Sequence, residues 1–180
     1  MSRPVVLVTN DDGIDSFFLA LLVEGLRARF EVRVVAPRRE QSWTGRAFTR
    51  RAAVAVEAVD SLGVPAWWVD GTPSDCVNIG LALLDAPPAA VVSGINLGFN
   101  VSLPLVLSSG TIAAATEGAL AGLHAVALSH TVASEHFEAV WKTGAGRREA
   151  GGVGAGGGGA GGGLRGAVDR GAGAGVAGGA

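Results

Sequence analysis

Adjacent carboxylates at Asp11 and Asp12, a hydroxyl at Ser42, an amide at Asn96 and the run Ser109-Gly110-Thr111 are the groups in this 180-residue chain that could do chemistry together. Neighbouring carboxylates repel unless a proton or a cation lies between them. Two carboxylates, an amide oxygen and a hydroxyl make an all-oxygen shell, which suits Mg²⁺ or Mn²⁺ better than Zn²⁺. Ser109, Gly110 and Thr111 stand where a helix begins, and free backbone N–H groups there favour an anion. A hard cation beside an anion cradle points to phosphoryl chemistry. The residues alone leave a second reading open: acids in a loop at a strand end, with Ser42 and Asn96 bonding their own backbone in turns.

Positioning these groups requires a particular scaffold. Residues 5–8 are a short β-branched run ending at the acids, so they read as a first strand with Asp11 and Asp12 at its carboxyl end. Successive strand side chains point to opposite faces, and Gly13 permits the turn that would let both acids meet one ligand. Phe18, Leu19, Leu22, Leu26 and Phe30 recur at helical spacing, which predicts a helix over 17–29. A strand over 31–36 follows, and this order implies a parallel crossover. Residues 54–59 and 65–69 read as further strands, with Trp67 and Trp68 directed to opposite faces. Thr72 is the expected N-cap of a helix through residue 84, with Pro73 in its first turn and Asp75 favouring the positive helix end. A buried strand over 89–92, a long loop to Ser108, a small-residue helix through residue 120, a strand over 126–128 and a helix over 135–141 complete the pattern. The expected fold is α/β, a Rossmann-like three-layer α/β/α sandwich with a mostly parallel sheet. In such a sheet ligands bind outside the carboxyl ends of the strands.

Composition narrows the function. A formal net charge of −2 gives no basic footprint for nucleic-acid polymers. No apolar stretch is long enough to span a bilayer, and the amino terminus lacks the apolar core of a signal peptide. The single cysteine, Cys76, excludes an intrachain disulfide and suits a cytoplasmic location. Its expected state is a small buried apolar residue. Trp43 either packs within its loop or stacks on a nucleobase, while His124, His130 and His136 have no metal-ligand spacing. No Gly-x-Gly-x-x-Gly follows the first strand, which argues against dinucleotide binding.

Five stretches in order carry a resemblance: TNDDGI at 9–14, APRREQS at 36–42, GTPSDCVNIGL at 71–81, SGINLGFN at 93–100 and SGTIAAATEGAL at 109–120. Together they resemble the SurE family of stationary-phase survival phosphatases. The resemblance implies a metal-dependent nucleoside 5′-monophosphate phosphatase, with some activity on 3′-monophosphates or polyphosphate, and a homo-oligomer. It implies one divalent ion held by Asp11, Asp12, Ser42 and Asn96, with Asp11 and Asp12 as the catalytic pair. Phosphate binding is implied for Asn96, Ser109, Gly110 and Thr111. The segment 101–108 departs from the pattern: it is one residue longer and lacks the polar and acidic residues common in relatives.

Residues 1–142 are expected to form the phosphatase domain, incomplete at its carboxyl end. Residues 143–180, mostly Gly and Ala, are expected to be a disordered tail, because they lack the apolar side chains to offset ordering entropy. The composition shift has the look of a truncation or a shifted reading frame in GC-rich coding sequence. A second functional expectation follows: a noncatalytic nucleotide- or phosphate-binding module that retains both loops without turnover.

Overall fold

A computed structural model of the chain describes residues 2–131. The first parallel unit is β1 (Val5–Thr9), α1 (Phe17–Leu26) and β2 (Glu31–Pro37). A hairpin-like pair, β3 (Val56–Val59) and β4 (Ala66–Val69), precedes α2 (Pro73–Leu83) and β5 (Ala90–Leu97). The described part ends with α3 (Leu103–Ser108), α4 (Gly110–Leu120) and β6 (His124–His130). The six strands lie in the order β3-β4-β2-β1-β5-β6, and all neighbours are parallel except β3 against β4.

Helices cover both faces. Leu19, Leu22 and Val23 of α1 pack with Val6, Val8, Val32 and Val34 on one face of the sheet. On the other, Cys76 and Val77 of α2 and Ala114 of α4 pack with Leu7, Val35 and Val91. Trp68 joins the first cluster and Trp67 the second, as strand alternation requires. The chain leaves β1 for α1 on one face and leaves β5 for α4 on the opposite face. That divergence opens a crevice at the carboxyl ends of β1 and β5.

Several boundaries differ from expectation. α1 stops at Leu26, where Arg27, Arg29 and Phe30 make turn hydrogen bonds back to Val23 and Leu26. β5 extends to Leu97 rather than ending near 92, because β6 itself runs from His124 to His130 and pairs with it as far as Leu97. Asn96 therefore lies on a strand and not in the loop after it. The expected loop before Ser108 contains α3, with Pro104 in the helix's first turn, where its missing N–H costs nothing. Among the described residues no helix is long and apolar enough to cross a membrane. The expected helix at 135–141 and the tail at 143–180 lie outside the described residues.

Candidate functional site

Local hydrogen bonds shape the acidic corner. Asn10 is fully buried; its amide donates to the Gly13 carbonyl at 2.9 Å, and its side-chain oxygen accepts from the Gly13 N–H at 3.2 Å. Gly13 has φ of 98°, a conformation that a side chain would strain, and an added Cβ would stand 3.2 Å from the Arg39 carbonyl carbon. This closed turn sets Asp11 facing α4 at only 4% exposure.

α4 begins directly over that carboxylate. Thr111 donates its hydroxyl to Asp11 Oδ1 at 2.6 Å across 100 residues of sequence. Gly110 is the reason the approach is possible: a Cβ there would lie 2.7 Å from Asp11 Cβ and 2.9 Å from Pro73 Cγ. The helix is capped by Ser109, whose hydroxyl accepts from the Ile112 N–H at 3.2 Å. Burial pushes the Asp11 carboxyl above the usual carboxylate range, opposed by the Thr111 hydroxyl and by backbone N–H groups of Thr111, Asp11 and Gly110. Ser109 thus uses its hydroxyl oxygen to cap α4, and Thr111 uses its hydroxyl hydrogen on Asp11.

The loop carrying Ser42 is fastened at several points. The Gln41 N–H donates to the Asp11 carbonyl at 2.7 Å, and the Gly45 N–H to the Ser108 carbonyl at 2.8 Å. Thr72 caps α2 in a reciprocal box with Asp75, and its hydroxyl also donates to the Ala47 carbonyl at 2.7 Å. Asp75 is nearly buried and accepts from the Thr72 N–H at 2.9 Å and from the Thr49 hydroxyl at 2.7 Å. Arg46 forms an ion pair with the buried Glu117 on α4. Neighbouring Cys76 is buried as expected, and burial first, then the Asp75 charge, push its thiol well above the normal range.

A cavity of about 150 Å³ opens at this corner, lined by Asp11, Ser42, Trp43, residues 96–100, Leu105, Ser108 and Ser109. Asp11, Ser42, Asn96 and Ser109 thus converge there. Asp12, half-buried beside Asp11, and Gly110 and Thr111 behind it are not part of the lining. Ser42 is exposed and donates its hydroxyl to Glu40 Oε1 at 2.7 Å, which leaves its oxygen able to accept or coordinate. Glu40 was not anticipated, and neither was Asn100, whose amide donates to Ser129 at 2.7 Å. The pairing of Arg46 with Glu117 has no local sequence signal either, since the two are 71 residues apart.

The donor set fits a hard cation. None of the residues lining the cavity is basic, and none of the ion pairs among the described residues involves Asp11. A buried carboxylate without a cationic side chain gains most from a metal ion. Among the described residues no three His, Cys, Asp or Glu side chains cluster for a metal, so the shell depends on the amide and hydroxyl oxygens as well.

Comparisons with known proteins give the family and the fold. The family model described as "Survival protein SurE" matches residues 6–148. "5'-nucleotidase SurE" of Maridesulfovibrio salexigens is 48% identical over 127 residues, covering 69% of this chain and 50% of the relative. "5'-nucleotidase SurE 1" of Thermus thermophilus is 47% identical over 133 residues, covering 72% of this chain and 52% of the relative. The crystal structure of the SurE protein from Aquifex aeolicus superposes with a TM-score of 0.65 at 30% identity, covering 81% of this chain and 61% of that one. The chain spans about half the length of the curated relatives it matches.

Proposed function

This chain belongs to the SurE family, and on that premise we propose that it is a metal-dependent phosphomonoesterase acting on nucleoside 5′-monophosphates. Nucleoside 3′-monophosphates and polyphosphate are further candidate substrates. The observation that carries the reading is the convergence of Asp11, Ser42 and Asn96 on one cavity at the sheet's crevice. The relatives' printed names, 5′-nucleotidase, point the same way.

One divalent ion, Mg²⁺ or Mn²⁺, would be held by Asp11, Asp12, Ser42 and Asn96. When bound, it supplies charge neutralisation at the phosphoryl group and activation of water. Asp11 and Asp12 are the catalytic pair in this reading, holding charge at the point where the phosphate arrives. Asn96 and Ser109 face the cavity and orient phosphoryl oxygens, while Gly110 and Thr111 support the phosphate segment from behind. Thr111 does so by fixing the orientation of Asp11 through its hydroxyl. The lone buried cysteine suits the reducing cytoplasm, and the family resemblance favours a homo-oligomer.

Phosphate release from nucleoside 5′- and 3′-monophosphates, with Mn²⁺, with Mg²⁺ and with chelator, tests the proposal. Metal-dependent release is expected. Folded protein that binds metal without releasing phosphate would overturn it in favour of a noncatalytic nucleotide- or phosphate-binding module.

A further inference from the structure

The donor set accounts for only part of the cavity wall. The rest is Trp43, residues 97–100, Leu105 and Ser108, with no charged side chain among them. Trp43 is 73% exposed and Phe99 63% exposed, so neither gains much from the protein's own packing. Trp43 is also the only non-glycine residue with positive φ among the described residues, at 64°. A bulky side chain is disfavoured in that left-handed conformation, where glycine would hold the turn without strain. Strain carried by an exposed aromatic ring beside a cavity is a sign of use.

We propose that Trp43 and Phe99 are specificity residues that receive the flat aromatic part of the substrate's leaving group, while its phosphate lies against Asp11, Ser42 and Asn96. The inference rests on the phosphomonoesterase reading and names the substrate class of that site. Aromatic faces stack on any planar ring without reading the hydrogen-bonding edges. Asn100, also on the cavity wall, donates from its amide nitrogen to the Ser129 hydroxyl at 2.7 Å. Discrimination among bases is therefore weak, whereas the distinction between aromatic and nonaromatic esters is strong. The two rings add nothing to the binding of an aliphatic ester, which has no planar group to stack on them.

The test uses the full chain with Mn²⁺ and compares adenosine 5′-monophosphate, p-nitrophenyl phosphate and glycerol phosphate as substrates for wild type, Trp43→Gly and Phe99→Ser. The kcat/KM for both aromatic esters is expected to fall about tenfold in each variant, the size of one lost stacking contact. Turnover of glycerol phosphate should be unchanged, and the thermal midpoint of Trp43→Gly should not fall. Equal loss on all three esters, or no loss on any, overturns the proposal. A binding arm separates this failure from failure of the nucleotidase reading: equilibrium dialysis of adenosine monophosphate and of inorganic phosphate, each with Mn²⁺. If no ester is hydrolysed, the catalytic reading fails, and dialysis alone decides the aromatic wall. Tighter binding of the nucleotide than of phosphate, with the excess lost in Trp43→Gly, supports the wall. Equal binding of the two, or binding of neither, overturns it.

Discussion

The two walls of one cavity are built on opposite terms. The inner wall, Asp11 with Gly110 and Thr111 behind it, is buried and locked by contacts between segments about a hundred residues apart. The outer wall, Trp43, Phe99 and Leu105, is exposed or half-exposed, and α3 beside it has no buried residue. On the inner wall the groups proposed for chemistry are also packing groups, so a change of volume there affects folding and turnover together. On the outer wall a side chain can change at little folding cost, which leaves it free to set substrate preference. The difference follows from burial, because a contact's stabilising weight grows with the surface it removes from water.

Asp11→Asn should separate the two roles of the inner wall most sharply. Metal-dependent turnover should fall by at least about a hundredfold, as expected for removing a charge that acts on the transition state. Far-UV circular dichroism should be unchanged and the thermal midpoint no lower, since burial already disfavours the charged form of this carboxyl. Retained activity would remove Asp11 from the catalytic set.

Gly110→Ala tests whether the inner wall is as tight as the contacts indicate. Its Cβ would meet Asp11 and Pro73 below 3.0 Å, and overpacking of this kind costs about 1–3 kcal/mol, read by urea denaturation. Turnover should drop with stability. A variant of wild-type stability would mean that α4 can retreat from Asp11 freely.

Asp75→Ala acts between the two walls, on the fastening of the Ser42 loop to α2. Loss of a reciprocal cap costs about 1 kcal/mol, and the loop also loses the anchor at Thr49. Limited trypsin digestion should then cut faster at the exposed Arg46, Arg50 and Arg51. An unchanged cleavage rate would show that Arg46, Ala47 and Gly45 hold the loop without Asp75.

The smallest effect on stability is expected at the outer wall. Trp43→Gly should leave unfolding free energy within about 0.5 kcal/mol of wild type, or raise it. A large loss by thermal or urea denaturation would mean that the indole is a packing residue and would erase the contrast between the walls.

Much of the scaffold was legible because its signals are local. The β-branched run before Asp11, the helical spacing from Phe18 and the Thr72-x-x-Asp75 cap each identify an element from neighbouring residues alone, and each lies where expected. α3 was missed because Pro104 reads as a breaker unless it falls in a helix's first turn. The extension of β5 was missed because residues 93–97 lack strand periodicity and are extended by pairing with β6, a partner about thirty residues away.

The sequence by itself determined the donor types: two acids after a first strand, a hydroxyl after the second, an amide after a glycine, and a small-residue helix start. Their chemistry is intrinsic to the side chains, and their order along the chain is enough to suggest a hard cation and a phosphate. Only the tertiary structure decided that the start of α4 faces Asp11, that Glu117 meets Arg46, that Ser42 turns to Glu40, and that Trp43 is left exposed. Those outcomes depend on which buried surfaces close against each other across the sheet. Burial is a property of the assembled layers, and no window of neighbouring residues contains it.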